Sequence, residues 1–238
     1  MEEKEKKTNE LKEISKEIVG WEDNKLIRTL RYLTTNPGQV ISEYCNGEKH
    51  KYLSPIIYFF GVNALETYLA SAIGLFDYLL KKNLESMQKS FSNPSFSKLF
   101  DTTNLADKIN SNLAFAFSET GQKLIITPLL LLLTWLFFKK YNRSIKDNSW
   151  FALYTLGHGT LLTIPFMMFW YFTNDLTFYT TFSFIILFAY WVWASKQFYS
   201  IKLGKAILLR FVMMTIAMLT LSLATFIMVF IVLLNAKK

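Results

Sequence analysis

The sequence contains a single cysteine, Cys45, and only two histidines, His50 and His158. One cysteine excludes a disulfide or a multi-cysteine zinc site within the chain, and the two histidines do not have the spacing of a metal-ligand pair. The chain also lacks a glycine-rich phosphate loop, an HExxH motif and a GxSxG motif. We therefore expect no metal, no cofactor, no catalytic residue and no enzyme activity, although these absences leave room for an intramembrane enzyme of a new type.

Charged residues are scarce in most of the chain after residue 51, whereas hydrophobic residues make up 52% of the sequence. Long stretches that are nearly free of charge are typical of helices that cross a membrane, because the hydrocarbon core needs about 20 helical residues. The sequence predicts an all-α integral membrane protein with five transmembrane helices preceded by cytoplasmic amphipathic helices. The predicted spans are residues 52–80, 123–138, 150–172, 178–193 and 206–235.

Lysine and arginine are distributed unevenly among the connecting segments. Ten precede the first predicted span and four lie between the second and third, whereas the 81–122 connector has five in some forty residues. The positive-inside rule then places the N-terminus in the cytoplasm and the C-terminus outside. The chain divides into a cytoplasmic lead-in, residues 1–51, and a five-span domain, residues 52–238, with an extracytoplasmic connector at 81–122. The net charge is +8, but the lysines and arginines flank apolar runs and form no single basic face. We therefore expect no nucleic-acid partner.

The lead-in has two segments, residues 9–19 and 24–33, in which apolar residues recur at helical spacing. Both are predicted to form amphipathic helices that pack under the bundle or lie at the lipid headgroups, or else bind a protein partner. Pro37 after Asn36 predicts the start of another helix, and Asn46 with Gly47 predicts its end.

The stretch RTLRYLTTNPGQVISEYCNGEKHKYLSPIIYFF combines a Pro-Gly pair, a tyrosine, a glycine with basic neighbours, and then a tyrosine and a proline that enter the first apolar run. This pattern resembles a bacterial family of multi-pass membrane proteins, domain of unknown function 3667, mainly over residues 28–66. The resemblance implies a place in the bacterial cytoplasmic (inner) membrane. Members often begin with paired cysteines that resemble a zinc ribbon, and this chain has no such pairs. The residues that carry the pattern are Pro37, Gly38, Tyr44, Gly47, Lys49, Tyr52 and Pro55.

Two ionisable residues, Glu66 and His158, fall inside predicted spans. An isolated charge in a bilayer costs at least ~2.5 kcal/mol, so each residue needs an explanation. A hydrogen bond between the carboxylate and the imidazole would lower the cost of both and form a proton-responsive centre, and Gly157 and Gly159 would let a neighbouring helix approach closely. Alternatively, Glu66 is protonated or bound to nearby hydroxyl groups, and His158 only holds helices together. Arg210 is expected at the cytoplasmic interface.

The function predicted from these features is that of a non-enzymatic scaffold or accessory subunit acting through interactions in the membrane. Its expected partners are the lipid bilayer, proteins bound by the cytoplasmic helices or by the 81–122 connector, and further copies of the chain in a homo-oligomer. The alternative is a small proton-responsive transporter or oligomeric channel that uses Glu66 and His158.

Overall fold

The computed structural model describes residues 24–91, 119–141 and 143–235. Within these ranges the chain forms helices and turns and no β-strand, so the predicted all-α class is confirmed for the described residues. The amphipathic helix predicted over residues 9–19 and the middle of the 81–122 connector lie outside them. The helices are α1 (Lys25–Thr35), α2 (Pro37–Cys45), α3 (Pro55–Ala72), α4 (Leu75–Phe91), α5 (Glu119–Phe138), α6 (Ile145–Thr173), α7 (Leu176–Tyr199) and α8 (Leu203–Asn235).

The first two helices, α1 and α2, form what we call the N-terminal helix pair. The Asn24 side chain accepts a hydrogen bond from the Leu26 N–H at 2.8 Å and so caps the start of α1. Asn36 connects the two helices, and α2 begins at Pro37 as predicted, although the Asn36 side chain makes no capping hydrogen bond. Gly47 follows α2 with a φ of 104°, a conformation that glycine adopts without steric cost.

The predicted first span, residues 52–80, is wrong in its bounds because the structure divides it into two helices. Helix α3 ends at Ala72, a turn follows, and α4 begins at Leu75. Gly74 in this turn has a φ of 73°, which a continuous right-handed helix does not allow. Hydrophobic periodicity does not detect such a turn, since Leu75 and Phe76 continue the apolar run. The 18 residues of α3 span ~27 Å, close to the thickness of a hydrocarbon core.

The remaining predicted spans lie within α5, α6, α7 and α8, which are longer than the predicted segments. A capping box starts α6, since the Ser144 side chain accepts from the Asp147 N–H at 3.0 Å and the Asp147 carboxylate accepts from the Ser144 N–H at 3.1 Å. The short turn before α7 ends in Asp175, whose side chain accepts from the Phe178 N–H. The Asp175 cap starts α7 two residues after α6 ends, so a two-residue turn is enough to connect these long apolar helices.

Three of the described helices are long and apolar enough to cross a membrane: Ile145–Thr173, Leu176–Tyr199 and Leu203–Ala224. Large apolar side chains are exposed on several helices, including Ile57 at 64% on α3 and Leu219 at 65% on α8. Such exposure is unfavourable in water and expected where side chains face lipid. The chain is thus a helical protein compatible with an integral membrane location.

Helix α6 lies at the centre, and its neighbours run in alternating directions. Tyr154 donates a hydrogen bond to the Leu53 carbonyl, and His158 contacts Tyr58, so α3 and α6 are parallel. Tyr199 donates to the Asn148 side chain at 2.7 Å, and the Trp191 indole N–H donates to the Thr155 carbonyl at 3.1 Å, so α7 is antiparallel to α6. The N-terminal helix pair packs against the first turns of α6 and the last turns of α7.

Candidate functional site

The N-terminal helix pair meets the bundle at Gly38. The Gly38 N–H donates a hydrogen bond to the Gln197 side-chain oxygen at 3.0 Å. A Cβ atom at this position would lie 2.4 Å from Gln197 Cβ and 2.8 Å from the Gln197 carbonyl carbon. Only glycine permits this approach, because real Cβ contacts are not so short. Helix α2 is therefore seated directly against the backbone of α7.

Aromatic side chains extend the contact between α2 and α6. Tyr44 is buried and packs edge-on against Trp150 and Tyr154, with ring centres 5.9 Å and 5.6 Å apart. Such edge-to-face pairs are worth ~0.5–1.5 kcal/mol beyond the area they bury. Tyr52 is also buried and donates a hydrogen bond to the Glu43 carboxylate at 2.9 Å. Tyr44 thus joins the helix pair to the bundle, and Tyr52 joins it to the segment that enters α3.

The other motif residues shape the chain around these contacts. Pro37 and Pro55 start α2 and α3, where a missing N–H costs nothing. Gly47 supplies the left-handed turn after α2, and Lys49 is exposed in the short 3₁₀ helix that follows. The motif therefore specifies how the helix pair folds and where it docks.

His158 lies under this docked pair and is fully buried. Its Nδ1 atom is 2.7 Å from the Tyr58 hydroxyl of α3, and its Nε2 atom is 3.0 Å from the Thr34 hydroxyl of α1. Tyr190 of α7 packs on the ring and donates a hydrogen bond to the Leu33 carbonyl. A single side chain of α6 thus contacts α1, α3 and α7.

The hydrogen bonds of Thr34 assign the tautomer of His158. The Thr34 hydroxyl donates to the Leu30 carbonyl at 2.8 Å, so it must accept from the imidazole, which places a hydrogen on Nε2. Nδ1 then carries a lone pair and accepts from the Tyr58 hydroxyl. The result is a chain of hydrogen bonds that runs from Tyr58 through His158 and Thr34 to the backbone of α1. With one donor and one acceptor nitrogen, the imidazole of His158 is neutral.

Two glycines flank His158 and allow its neighbours to come close. A Cβ atom at Gly157 would lie 3.1 Å from the Phe59 Cα of α3, and one at Gly159 would lie 2.4 Å from the Leu187 Cδ1 of α7. Small residues at such positions let helix backbones approach each other in membranes. The close backbone approach expected from the sequence is present at Gly157, whereas Gly159 meets the flexible end of the Leu187 side chain.

The structure does not bring Glu66 and His158 together. Glu66 is buried on α3, eight residues beyond Tyr58, which corresponds to ~12 Å along a helix that runs parallel to α6. Both nitrogens of His158 already face hydroxyl groups. The predicted carboxylate–imidazole centre is replaced by a centre built from hydroxyl groups and one imidazole.

Arg210 of α8 is a second buried polar centre, and its expected position at the cytoplasmic interface stays a prediction. Only 4% of the residue is exposed. Its Nε donates to the Ser195 hydroxyl at 2.6 Å, and the guanidinium lies 5.1 Å and 5.0 Å from the ring centres of Phe138 and Phe151. Aromatic faces attract a cation, which offsets part of the cost of removing it from water. The sequence did contain a signal for such a centre, because Arg210 is the one charged residue between residues 206 and 236.

Residues 23–66 match the model of a family described as a protein of unknown function, DUF3667. The resemblance predicted from the sequence is confirmed over this segment. No curated protein and no solved structure matches the chain. The DUF3667 segment, residues 23–66, contains the N-terminal helix pair and the part of α3 that carries Tyr58 and Glu66. It therefore contributes the α1 and α3 side of the contacts to His158.

Proposed function

We propose that this protein is a non-enzymatic scaffold or accessory subunit of the bacterial cytoplasmic membrane, and that the docked N-terminal helix pair is its interaction platform. The observation that carries the proposal is the fixed seating of the pair, through Gly38 on Gln197 and Thr34 on His158. Two helices of 11 and 9 residues are too short to be stable alone in water. Docking keeps them folded and holds their outer face in one orientation.

The membrane arrangement in this proposal has α3, α5, α6, α7 and α8 as five spans, with the N-terminus cytoplasmic and the C-terminus extracytoplasmic. The parallel packing of α3 and α6 supports it, because two spans separated by one returning span must point the same way. The antiparallel packing of α7 on α6 supports it as well. The helix pair then lies on the side where the positive-inside rule places the lysine-rich connectors.

Helix α1 exposes apolar side chains that a partner can contact. Leu26 is 44% exposed and Tyr32 is 37% exposed on α1, beside the charged residues Lys25 and Arg31. An exposed leucine and tyrosine with a charged rim are common in protein interfaces. The transport alternative required Glu66 and His158 to act as one centre, and the separation of these residues favours the scaffold.

In vivo photo-crosslinking tests the platform. A photoreactive residue at Lys25, Leu26 or Thr35, all exposed, is expected to give a discrete adduct with a second copy or another protein, whereas the same residue at the buried Leu33 gives none. A monomer in mild detergent, with no protein adduct at any of the exposed positions, would contradict the scaffold. A proton flux across liposomes that disappears in Glu66→Gln would instead favour the transporter.

A further inference from the structure

A groove with a volume of about 610 Å³ lies on the N-terminal helix pair, beside the segment that enters α3. Its polar lining comes mainly from Arg28, Arg31, Tyr32, Glu43, Lys51 and Tyr52. All of these residues belong to the DUF3667 segment. The groove is large enough for a small polar ligand or headgroup. The charges of its lining residues determine whether it favours an anion or a cation.

The charges that line the groove are three cations and one carboxylate. The Glu43 carboxylate accepts hydrogen bonds from the Gln39 amide at 2.7 Å, the Tyr52 hydroxyl at 2.9 Å and the Lys51 ammonium at 3.4 Å. These bonds, with that from Gln39 the strongest, lower the pKa of Glu43, so this group is ionised at neutral pH. Lys51 is offset by Glu43 and, more closely, by Glu48, with which it also forms an ion pair.

The other two cations that line the groove belong to α1. Arg28 and Arg31 are three residues apart, so both side chains lie on one side of α1. The planar guanidinium group carries several N–H donors in a fixed fork that matches the oxygens of a phosphate group. The Tyr32 hydroxyl at the groove adds a further polar group, whereas the Tyr52 hydroxyl already donates to Glu43. This combination selects a phosphate-bearing anion over a neutral or cationic ligand.

An exposed apolar face begins next to the groove. The Leu53 N–H donates a hydrogen bond to the Thr29 hydroxyl at 3.0 Å, which ties α1 to the start of α3. From there α3 exposes Ile56 at 45%, Ile57 at 64% and Phe60 at 58%. A ligand with a phosphate in the groove and acyl chains along these side chains would use both surfaces, whereas a soluble phosphate compound would use only the first.

We propose that this groove binds the phosphate-bearing headgroup of an anionic phospholipid, with Arg28 and Arg31 on the phosphate and the acyl chains along the start of α3. The site lies where basic residues at a membrane surface meet anionic headgroups. The inference rests on the proposed membrane insertion and not on the scaffold role. A binding assay in detergent tests it separately from both.

The experiment measures binding isotherms of the purified full-length protein for dihexanoyl phosphatidylglycerol, dihexanoyl phosphatidylcholine and inorganic phosphate. We expect saturable binding of phosphatidylglycerol, tighter than that of the other two compounds. Arg28→Gln with Arg31→Gln should weaken it roughly 25-fold, about fivefold for each basic residue. The control is Lys139→Gln with Lys140→Gln, which removes the same charge from two exposed lysines on the same predicted side of the membrane and should leave affinity unchanged.

Three outcomes would overturn the proposal. If the arginine and lysine variants lose the same affinity for phosphatidylglycerol, the attraction is unspecific. If phosphatidylcholine binds as tightly as phosphatidylglycerol, the charge of the headgroup plays no role. If inorganic phosphate binds as tightly, the ligand is a soluble phosphate compound. Thermal unfolding of each variant verifies that it is folded. If the double arginine variant is not folded, the exposed Arg31→Gln alone should still weaken phosphatidylglycerol binding about fivefold, and unchanged affinity would reject the site.

Discussion

Replacing Gly38 by alanine is expected to release the N-terminal helix pair from the bundle. The new Cβ would lie 2.4 Å from Gln197 Cβ and 2.8 Å from two backbone atoms of α7, the Gln197 carbonyl carbon and the Phe198 nitrogen. Backbone atoms of a packed helix cannot move as a flexible side chain can, so the pair must shift. Forcing an extra carbon into a well-packed contact typically costs about 1–3 kcal/mol, and here this cost falls on docking.

Cys45 provides the measurement for this prediction, because it is the one cysteine of the chain and lies at the end of α2. Burial raises the pKa of its thiol to about 12, with the nearby Asp147 adding to the effect. Cys45 is half-buried in the docked pair, and opening of the pair exposes its thiol and favours the thiolate that reacts with maleimide. A loss of 1–3 kcal/mol in docking raises the open population, and with it the labelling rate at pH 8, about five- to 150-fold.

Gly61→Ala is the matched control for Gly38→Ala. Gly61 lies in α3, and a Cβ atom there would meet nothing within 4 Å. Both changes replace a helical glycine by alanine, which by itself favours the helix. Labelling of Cys45 at the parental rate in both variants would show that the Gly38 contact does not hold the pair in place.

Tyr58→Phe is expected to destabilise the bundle by removing the donor to His158. The variant keeps the ring and leaves the buried Nδ1 acceptor without its 2.7 Å partner. A buried polar atom that loses its hydrogen bond costs about 1–3 kcal/mol. For a chain of this length, that cost lowers the midpoint of thermal unfolding by about 2–12 °C.

Tyr68→Phe controls for the loss of a hydroxyl from the same helix, since Tyr68 is 71% exposed. It should leave the thermal midpoint unchanged. Combining Tyr58→Phe with Thr34→Val extends the test, because both hydroxyls bind one imidazole ring and their effects should not be additive. Equal midpoints for Tyr58→Phe and Tyr68→Phe would contradict the role given to His158.

The helices were largely predictable from the sequence because their signals are local. Apolar runs, the Asn36–Pro37 start of α2 and the glycine after its end all act within a few residues. The break at Gly74 was missed because a positive φ leaves no trace in hydrophobic periodicity. The sequence therefore predicts that these helices occur, but it does not predict that α3 ends at Ala72.

The partners of the buried polar residues were not predictable in the same way. Thr34 and His158 are 124 positions apart, and their contact depends on how α1 seats against α6. The choice of Glu66 as the partner of His158 rested on both being ionisable residues inside predicted spans, whereas the packing of α3 on α6 puts Tyr58 at the level of the ring. The surroundings of Arg210 were not predictable, because the aromatic rings around it come from other helices.

Hydrogen–deuterium exchange on the protein in lipid nanodiscs tests the docked helix pair most directly. Helices as short as α1 and α2 exchange within seconds when isolated, so any protection of residues 25–45 must come from docking. The account predicts that their backbone amides exchange slowly, on the timescale of the adjoining ends of α6 and α7, and that Gly38→Ala removes this protection selectively. Complete exchange of residues 25–45 within seconds in the parent protein, while α6 and α7 remain protected, would contradict it.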